Sequence, residues 1–513
     1  MTATSRVRHW LFLGVLAVHL APVLYFTYLP ASDGPGHVYN AHVVEQRLLG
    51  DDPSVPYFRF NPAPAPNWLG HVLLSLAMLI MPAAASERTL QLLYVLTFPL
   101  AFRYFLRSAA QDTKGLEFLA FPFVYGIHFH WGFYNFCLSL VLYLFTLGTW
   151  MRWRGRLSAL RMMTLSCLLV LTYFSSLVGF IQCLFAMAAL LLIDAALTKT
   201  RPRLSELAWT GLAAFPAVSM SVWFAMRQVN RGPLPAEFPP RLWAAANLFR
   251  FDILRTFTDA EKPLAIGFAL LFWLGIAFQC HQRWKTGRIQ GGLGFLLLGA
   301  ATIPIVFLAP TTAGGGTMLT PREVYFVVFA LALWLASGPL PAFFRHALAG
   351  ASIVVSLGLL ILHWPIYSQY DAGMCRLLSG LEHAPLSGRK TVFASTLGNP
   401  FPQNVDPRTR RVDLSGGLGG YFAIEHGLVY LNDYEPQTTH FPLIYRYSLA
   451  GAGRLRYATA PNRTVDVVLL WGVDDQAAKN TLAAQILRSP FDCFDYPGLP
   501  EHPTLFLPRE SKD

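Results

Sequence analysis

One short stretch, A-S-D-G-P-G-H-V-Y-N-A-H-V-V-E-Q (31–46), sets Asp33, His37, His42 and Glu45 close together directly behind an apolar run that ends at Pro30. The Gly-Pro-Gly after Asp33 breaks helix geometry, and the pattern predicts a helix from His37 onward, with His37, Ala41 and Glu45 on one face. A carboxylate on a turn ahead of such a helix can serve as a general base or, with His37, as part of a divalent metal site. The same residue can also merely cap the helix, leaving the histidines among lipid headgroups.

Two further groups of residues could join it. The turn His128-Phe129-His130-Trp131-Gly132-Phe133-Tyr134-Asn135 places two imidazoles between apolar runs. They suit proton transfer or metal binding, and the aromatic residues equally suit an interfacial belt. The segment 227–262 carries Arg231, Arg241, Arg250, Arg255 and Lys262, and Arg322 opens a later apolar run. Arginines there can hold an anionic lipid phosphate in bidentate fashion, or pair with Asp252, Asp259, Glu261 and Glu323.

The elements that must position these groups are read from composition. The 513 residues are 54% hydrophobic and only 13% charged, with mean hydropathy +0.40, which fits a multi-pass membrane protein and excludes an ordinary soluble domain. The net charge of +11 resides in short basic clusters between apolar runs, so it reads as membrane topology and not as a nucleic-acid surface. Six cysteines, at 137, 167, 183, 280, 375 and 493, show neither metal-knuckle nor disulfide spacing. Keeping every basic cluster on the cytoplasmic side predicts about 11 transmembrane helices. They fall at 10–28, 88–106, 115–130, 132–151, 158–175, 178–198, 206–226, 263–281, 291–309, 322–340 and 347–366. The same parity lays 67–82, bracketed by Pro66 and Pro82, along the interface within the outer loop 29–87. The N-terminus is then cytoplasmic and the C-terminus extracytoplasmic. Residues 367–513 turn polar, with strand-like runs near 391, 465 and 504 and a helix capped by Asp474 or Asp475, which predicts a small α/β extracytoplasmic domain.

This layout over 1–366 resembles the GT-C fold integral membrane glycosyltransferases, such as protein O-mannosyltransferases and bacterial aminoarabinose transferases. The shared features are an acidic residue opening the first outer loop, an interfacial helix in that loop, a long outer loop after the seventh span and an outer C-terminal domain. It is more similar still to uncharacterised bacterial multi-pass proteins of this kind, through D-x-P-x-H (Asp33 to His37) and G-F-x-N-F (Gly132 to Phe136). It differs in having Asp33-Gly34 where many members pair Asp with Glu, and His128 and His130 where many place an acid.

The resemblance implies a bacterial inner or plasma membrane protein that moves a sugar from a polyprenyl-phosphate donor to a glycan, lipid or protein acceptor at the outer face. Asp33 would be the base and His37 or His128 and His130 would orient the acceptor. Arg322 with Arg250 or Arg255 would hold the phosphate, and Asp33 and His37 would supply a divalent metal site if one exists. The alternative is a non-catalytic flippase or scaffold of lipid or polysaccharide export. A transporter would carry charged or Gly/Pro-broken residues deep in its spans, and apart from Pro122, Pro216 and Pro304 the spans show little of that.

Overall fold

The computed structural model describes all residues except 1–2, 111, 157, 200–203, 230–235, 288–291, 314–315, 339, 397–410, 413, 415–417, 452–455, 460–463, 473–474, 497, 500–502 and 510–513. Arg231 and Asp474 therefore lie outside the described residues. Among the described residues, eight helices are long and apolar enough to cross a membrane: Arg6–Tyr25, Ala83–Ala109, Tyr134–Trp153, Leu177–Thr198, Leu204–Gln228, Glu261–Lys285, Leu319–Ala336 and Ala342–Leu381. Such a set fits a multi-pass membrane protein. Two more of the expected segments form shorter apolar helices, Ala159–Ser175 and Leu293–Leu308.

The expected span 115–130 departs furthest. It forms a 3-10 helix, Leu116–Phe123, and then a short α-helix, Ile127–His130. Pro122 removes a backbone donor and Gly126 takes an extended conformation, so no continuous ladder can form. Both pieces are buried, which lets protein rather than lipid satisfy the freed backbone groups.

The segment 67–82 contains a helix of 10 residues, Leu69–Met78, about 15 Å long and too short to span. It buries Gly70, His71, Leu74 and Ser75 and exposes Val72 and Leu76. Asn135 fixes its start: Oδ1 accepts from Gly70 N–H at 2.7 Å and Nδ2 donates to the Asn67 carbonyl at 3.1 Å. Ser75 Oγ ties it to the Ala41 carbonyl of the neighbouring helix Gly34–Leu49.

The C-terminal region holds a mixed five-stranded sheet in the order Val429–Tyr430, Thr391–Thr396, Val467–Trp471, Thr504–Pro508, Phe491–Asp495. The first two pairings are parallel and the last two antiparallel. Helix Gln476–Leu487 is capped by Asp475, whose side chain accepts from Ala478 N–H at 3.0 Å. This region meets the first loop through a second, two-stranded sheet, in which Phe58, Arg59 and Phe60 face Tyr445, Ile444 and Leu443. Asn61 Nδ2 extends the seam to the carbonyls of Thr439 and Phe441. The pairing lays residues 432–441 over the first-loop helix.

The expected change of domain at 366 falls inside a 40-residue helix, Ala342–Leu381. The helix runs on because Tyr370, Met374, Leu377 and Leu381 continue a buried stripe at helical spacing after the apolar run ends. Native tryptic digestion is therefore expected to spare Arg376, although its side chain is exposed. Cleavage there with release of a folded C-terminal fragment, detected by mass spectrometry, would mean that this helical end opens on its own.

Candidate functional site

Asp33 sits at the junction of two turns held together through their backbones. Its N–H donates to the Trp131 carbonyl at 3.0 Å, and Ser32 N–H donates to the His130 carbonyl at 2.9 Å. The following helix begins at Gly34, ahead of the expected His37, because Pro35 in the first turn needs no N–H partner and arrives with its φ preset. Asp33 is its N-cap residue, but the side chain makes no capping hydrogen bond. The carboxylate lines a cavity of about 570 Å³ together with His37, Tyr434, His440 and Arg322.

These groups set one another's charge. Burial pushes the Asp33 carboxyl up to about 6; His37, the Tyr434 hydroxyl bonded to it and Arg322 restrain that rise, and Glu435 adds to it. His440 is pushed down to about 4 by burial and by Arg322, so it is neutral at pH 7. Arg322 spreads its guanidinium over Phe133 and Phe136, 4.5 and 5.0 Å from the ring centroids, and gives one N–H to the Thr317 carbonyl at 2.9 Å. Its Nε has no hydrogen-bond partner, and among the described residues no carboxylate pairs with it. Glu323 bonds Gln182 instead. Arg322 is therefore a cation available to an anion in the cavity.

Beside Asp33 lies a buried clasp. Glu435, on the 3-10 turn Glu435–Gln437, contacts His37 Nδ1 with one carboxylate oxygen and lies 2.8 Å from His71 Nε2 with the other. All three side chains are at most 5% exposed. Burial would raise the Glu435 carboxyl, but the His71 and His37 rings outweigh it and hold the group at about 2. Burial would likewise lower His37, but Glu435, with smaller contributions from Asp33 and Asp433, outweighs it and the ring lies above its ordinary value. Asp433, bonded to Asn40, is pushed well up by burial and by Glu435. His37, His71 and Glu435 each offer one ligand atom, and these atoms lie within 4.8 Å of one another, so the group could hold a metal ion.

Glu87 fills the space beside position 34. A Cβ on Gly34 would meet Glu87 Oε1 at 2.4 Å. The Tyr134 and Tyr421 hydroxyls donate to this carboxylate, Tyr134 at 2.6 Å. A second acid thus stands next to Asp33-Gly34, supplied by another helix.

The other expected residues do not line the cavity. His128 is buried with Nδ1 3.4 Å from the Tyr325 hydroxyl. His130 Nε2 is 2.7 Å from the Tyr367 hydroxyl, and the ring packs on His363, which pairs with Glu261. Arg250 pairs with Asp252 at 2.6 Å, and Arg255 bridges Asp252 and Asp259 at 3.4 and 2.6 Å. Local ion pairs therefore account for both arginines. Sequence reasoning missed Glu435, His71, Tyr434 and His440 as site residues. The run L-N-D-Y-E-P-Q (431–437) was the available signal, since it sets two acids around a tyrosine immediately after a buried strand.

No family model, curated protein or solved structure matches this chain. What the site does has to come from its own geometry.

Proposed function

We propose that the protein is a membrane glycosyltransferase that takes a sugar from a polyprenyl-phosphate donor at the outer face of a bacterial membrane. The observation that carries this reading is one cavity that holds a carboxylate, Asp33, and an arginine, Arg322, that no carboxylate among the described residues pairs with, against an apolar wall. Phe136, Leu177, Val178, Ile181 and Phe224 form that wall, and Ile181 is 52% exposed. An isoprenoid chain would lie on these residues, with its phosphate at Arg322.

The chemistry then divides simply. Arg322 neutralises the phosphate, which makes it a better leaving group as the glycosidic bond breaks. Asp33 takes the proton of the acceptor hydroxyl as that oxygen attacks the anomeric carbon. Neutral His440 and the Tyr434 hydroxyl are placed to hydrogen-bond acceptor or sugar. His128, His130, Arg250 and Arg255 have no part in this reading.

The test is a panel of polyprenyl-phosphate sugars presented to the purified protein in lipid nanodiscs, scored by release of polyprenyl phosphate. Arg322→Gln is expected to raise the donor KM by about 10-fold to 100-fold, the scale of one lost hydrogen bond to a charged group. Turnover by wild type with an unchanged KM in Arg322→Gln would remove Arg322 from the site.

A second reading, a non-catalytic flippase or export scaffold, is favoured by the broken, buried segment Leu116–His130, since discontinuous helices inside a bundle are how many transporters build a site. Binding of polyprenyl phosphate without consumption of any donor would put that reading ahead.

A further inference from the structure

We propose that His37, His71 and Glu435 bind one divalent transition-metal ion, zinc by the chemistry of the ligands, at the seam between the first loop and the C-terminal region. The proposal stands on the clasp itself and does not depend on glycosyl transfer.

Three observations meet there. First, the three ligand atoms lie within 4.8 Å of one another and all three residues are buried. Tetrahedral zinc with nitrogen and oxygen ligands at about 2.0–2.2 Å spaces its ligand atoms about 3.3–3.5 Å apart, within reach of small rotations of these rings.

Second, the rings are oriented as ligands. His71 Nδ1 lies 3.0 Å from the Asn67 carbonyl, which can only accept, so that nitrogen carries the hydrogen. In the neutral ring this leaves the lone pair of Nε2 directed at Glu435 Oε2, 2.8 Å away. At that distance a shared proton or a cation must lie between them. A backbone carbonyl that fixes the tautomer is also the usual outer support of a metal-bound histidine.

Third, the opposite half of the clasp is a direct contact that lacks hydrogen-bond geometry. His37 Nδ1 and Glu435 Oε1 touch, yet neither has a hydrogen-bond partner of acceptable geometry, and both are buried. A bound ion between them would use both atoms, and a shared proton is the alternative that the test below separates from it. Asp33 adds negative charge beside the cluster, which favours a dication.

The framework is built to hold this geometry. The Ser75 hydroxyl locks the His71 helix to the helix carrying His37, and Glu435 arrives on a turn braced by Asp433 Oδ1, which accepts its N–H at 3.2 Å. His37 lines the cavity, so a fourth coordination position on that side would be open to a ligand.

The test uses the full chain purified in detergent. Wild type is expected to retain one zinc per chain by mass spectrometric metal analysis. After chelation it should rebind one equivalent of Co²⁺, with visible d–d absorption, and its thermal midpoint should rise on zinc addition. His71→Ala and Glu435→Gln should each weaken Co²⁺ binding at least about 100-fold, beyond the loss seen when only an outer support is removed. His42→Ala serves as the control, because His42 pairs only locally with Glu45, and it should bind as wild type does. If the two ligand variants fail to fold, the wild-type stoichiometry and cobalt spectrum decide alone. Wild type that neither retains nor rebinds a divalent ion, or folded ligand variants that bind it undiminished, would overturn the proposal and leave a proton-bridged clasp.

Discussion

Asp33→Asn is expected to fold as wild type does and to transfer sugar at least about 100-fold more slowly, a barrier increase of about 2.7 kcal/mol. The two halves of this expectation rest on separate observations. Stability should hardly change, because the Asp33 side chain makes no capping hydrogen bond and the structural work at this position is done by its backbone. Asparagine keeps a partner for the Tyr434 hydroxyl, so the cost should stay within about 1 kcal/mol. Activity should fall because an amide cannot accept the acceptor's proton. The pH profile gives an independent reading. A base must be ionised, and Asp33 titrates near 6, so the wild-type rate should climb with pH through about 6 and level off above it. At pH 5 it should be about tenfold below its plateau. Residual turnover of Asp33→Asn should lack this limb. A folded variant that turns over normally with the limb intact would assign the proton to another group and remove the base from the proposed mechanism.

What could be read from sequence follows from which interactions are local. Asp33, His37 and Arg322 were recognisable by type and by their position at the ends of apolar runs, and the structure gathers them around one cavity. Glu435 was not, because it meets His71 from 364 residues away and periodicity says nothing about partners at such range. Arg250 and Arg255 were drawn toward the site by their charge, while Asp252 and Asp259, a few residues off, offered cheaper partners. The fold shows the same division. Hydropathy measures apolarity and not backbone continuity, so 115–130 looked like a span although Pro122 and Gly126 divide it. It also stops at the last apolar run, whereas helix Ala342–Leu381 continues wherever protein covers its buried stripe.

The motif G-F-x-N-F, by contrast, can be explained residue by residue, and it yields the largest expected effect on stability. Asn135 fixes the start of helix Leu69–Met78, and Phe133 and Phe136 carry the Arg322 guanidinium on their faces. Gly132 lets the Asp33 backbone lie directly on this turn. It adopts φ +75, and a Cβ there would sit 2.5 Å from Gly34 N and 3.1 Å from Asp33 N. Those are backbone atoms, and the hydrogen bonds from Ser32 and Asp33 to His130 and Trp131 prevent the two turns from parting cheaply. Gly132→Ala therefore carries two penalties, the left-handed backbone at about 1–2 kcal/mol and overpacking at about 1–3 kcal/mol. Gly155 separates them, since it has φ +73 with nothing within 4 Å of its would-be Cβ. Gly155→Ala should show only the first penalty. Denaturant unfolding in one detergent should place Gly132→Ala at least about 1 kcal/mol below Gly155→Ala. Its transfer activity should fall as well, because relief of the clash must shift the Asp33 backbone. Equal losses in the two variants would mean that the close approach is no constraint, and that Gly132 is present only for its turn.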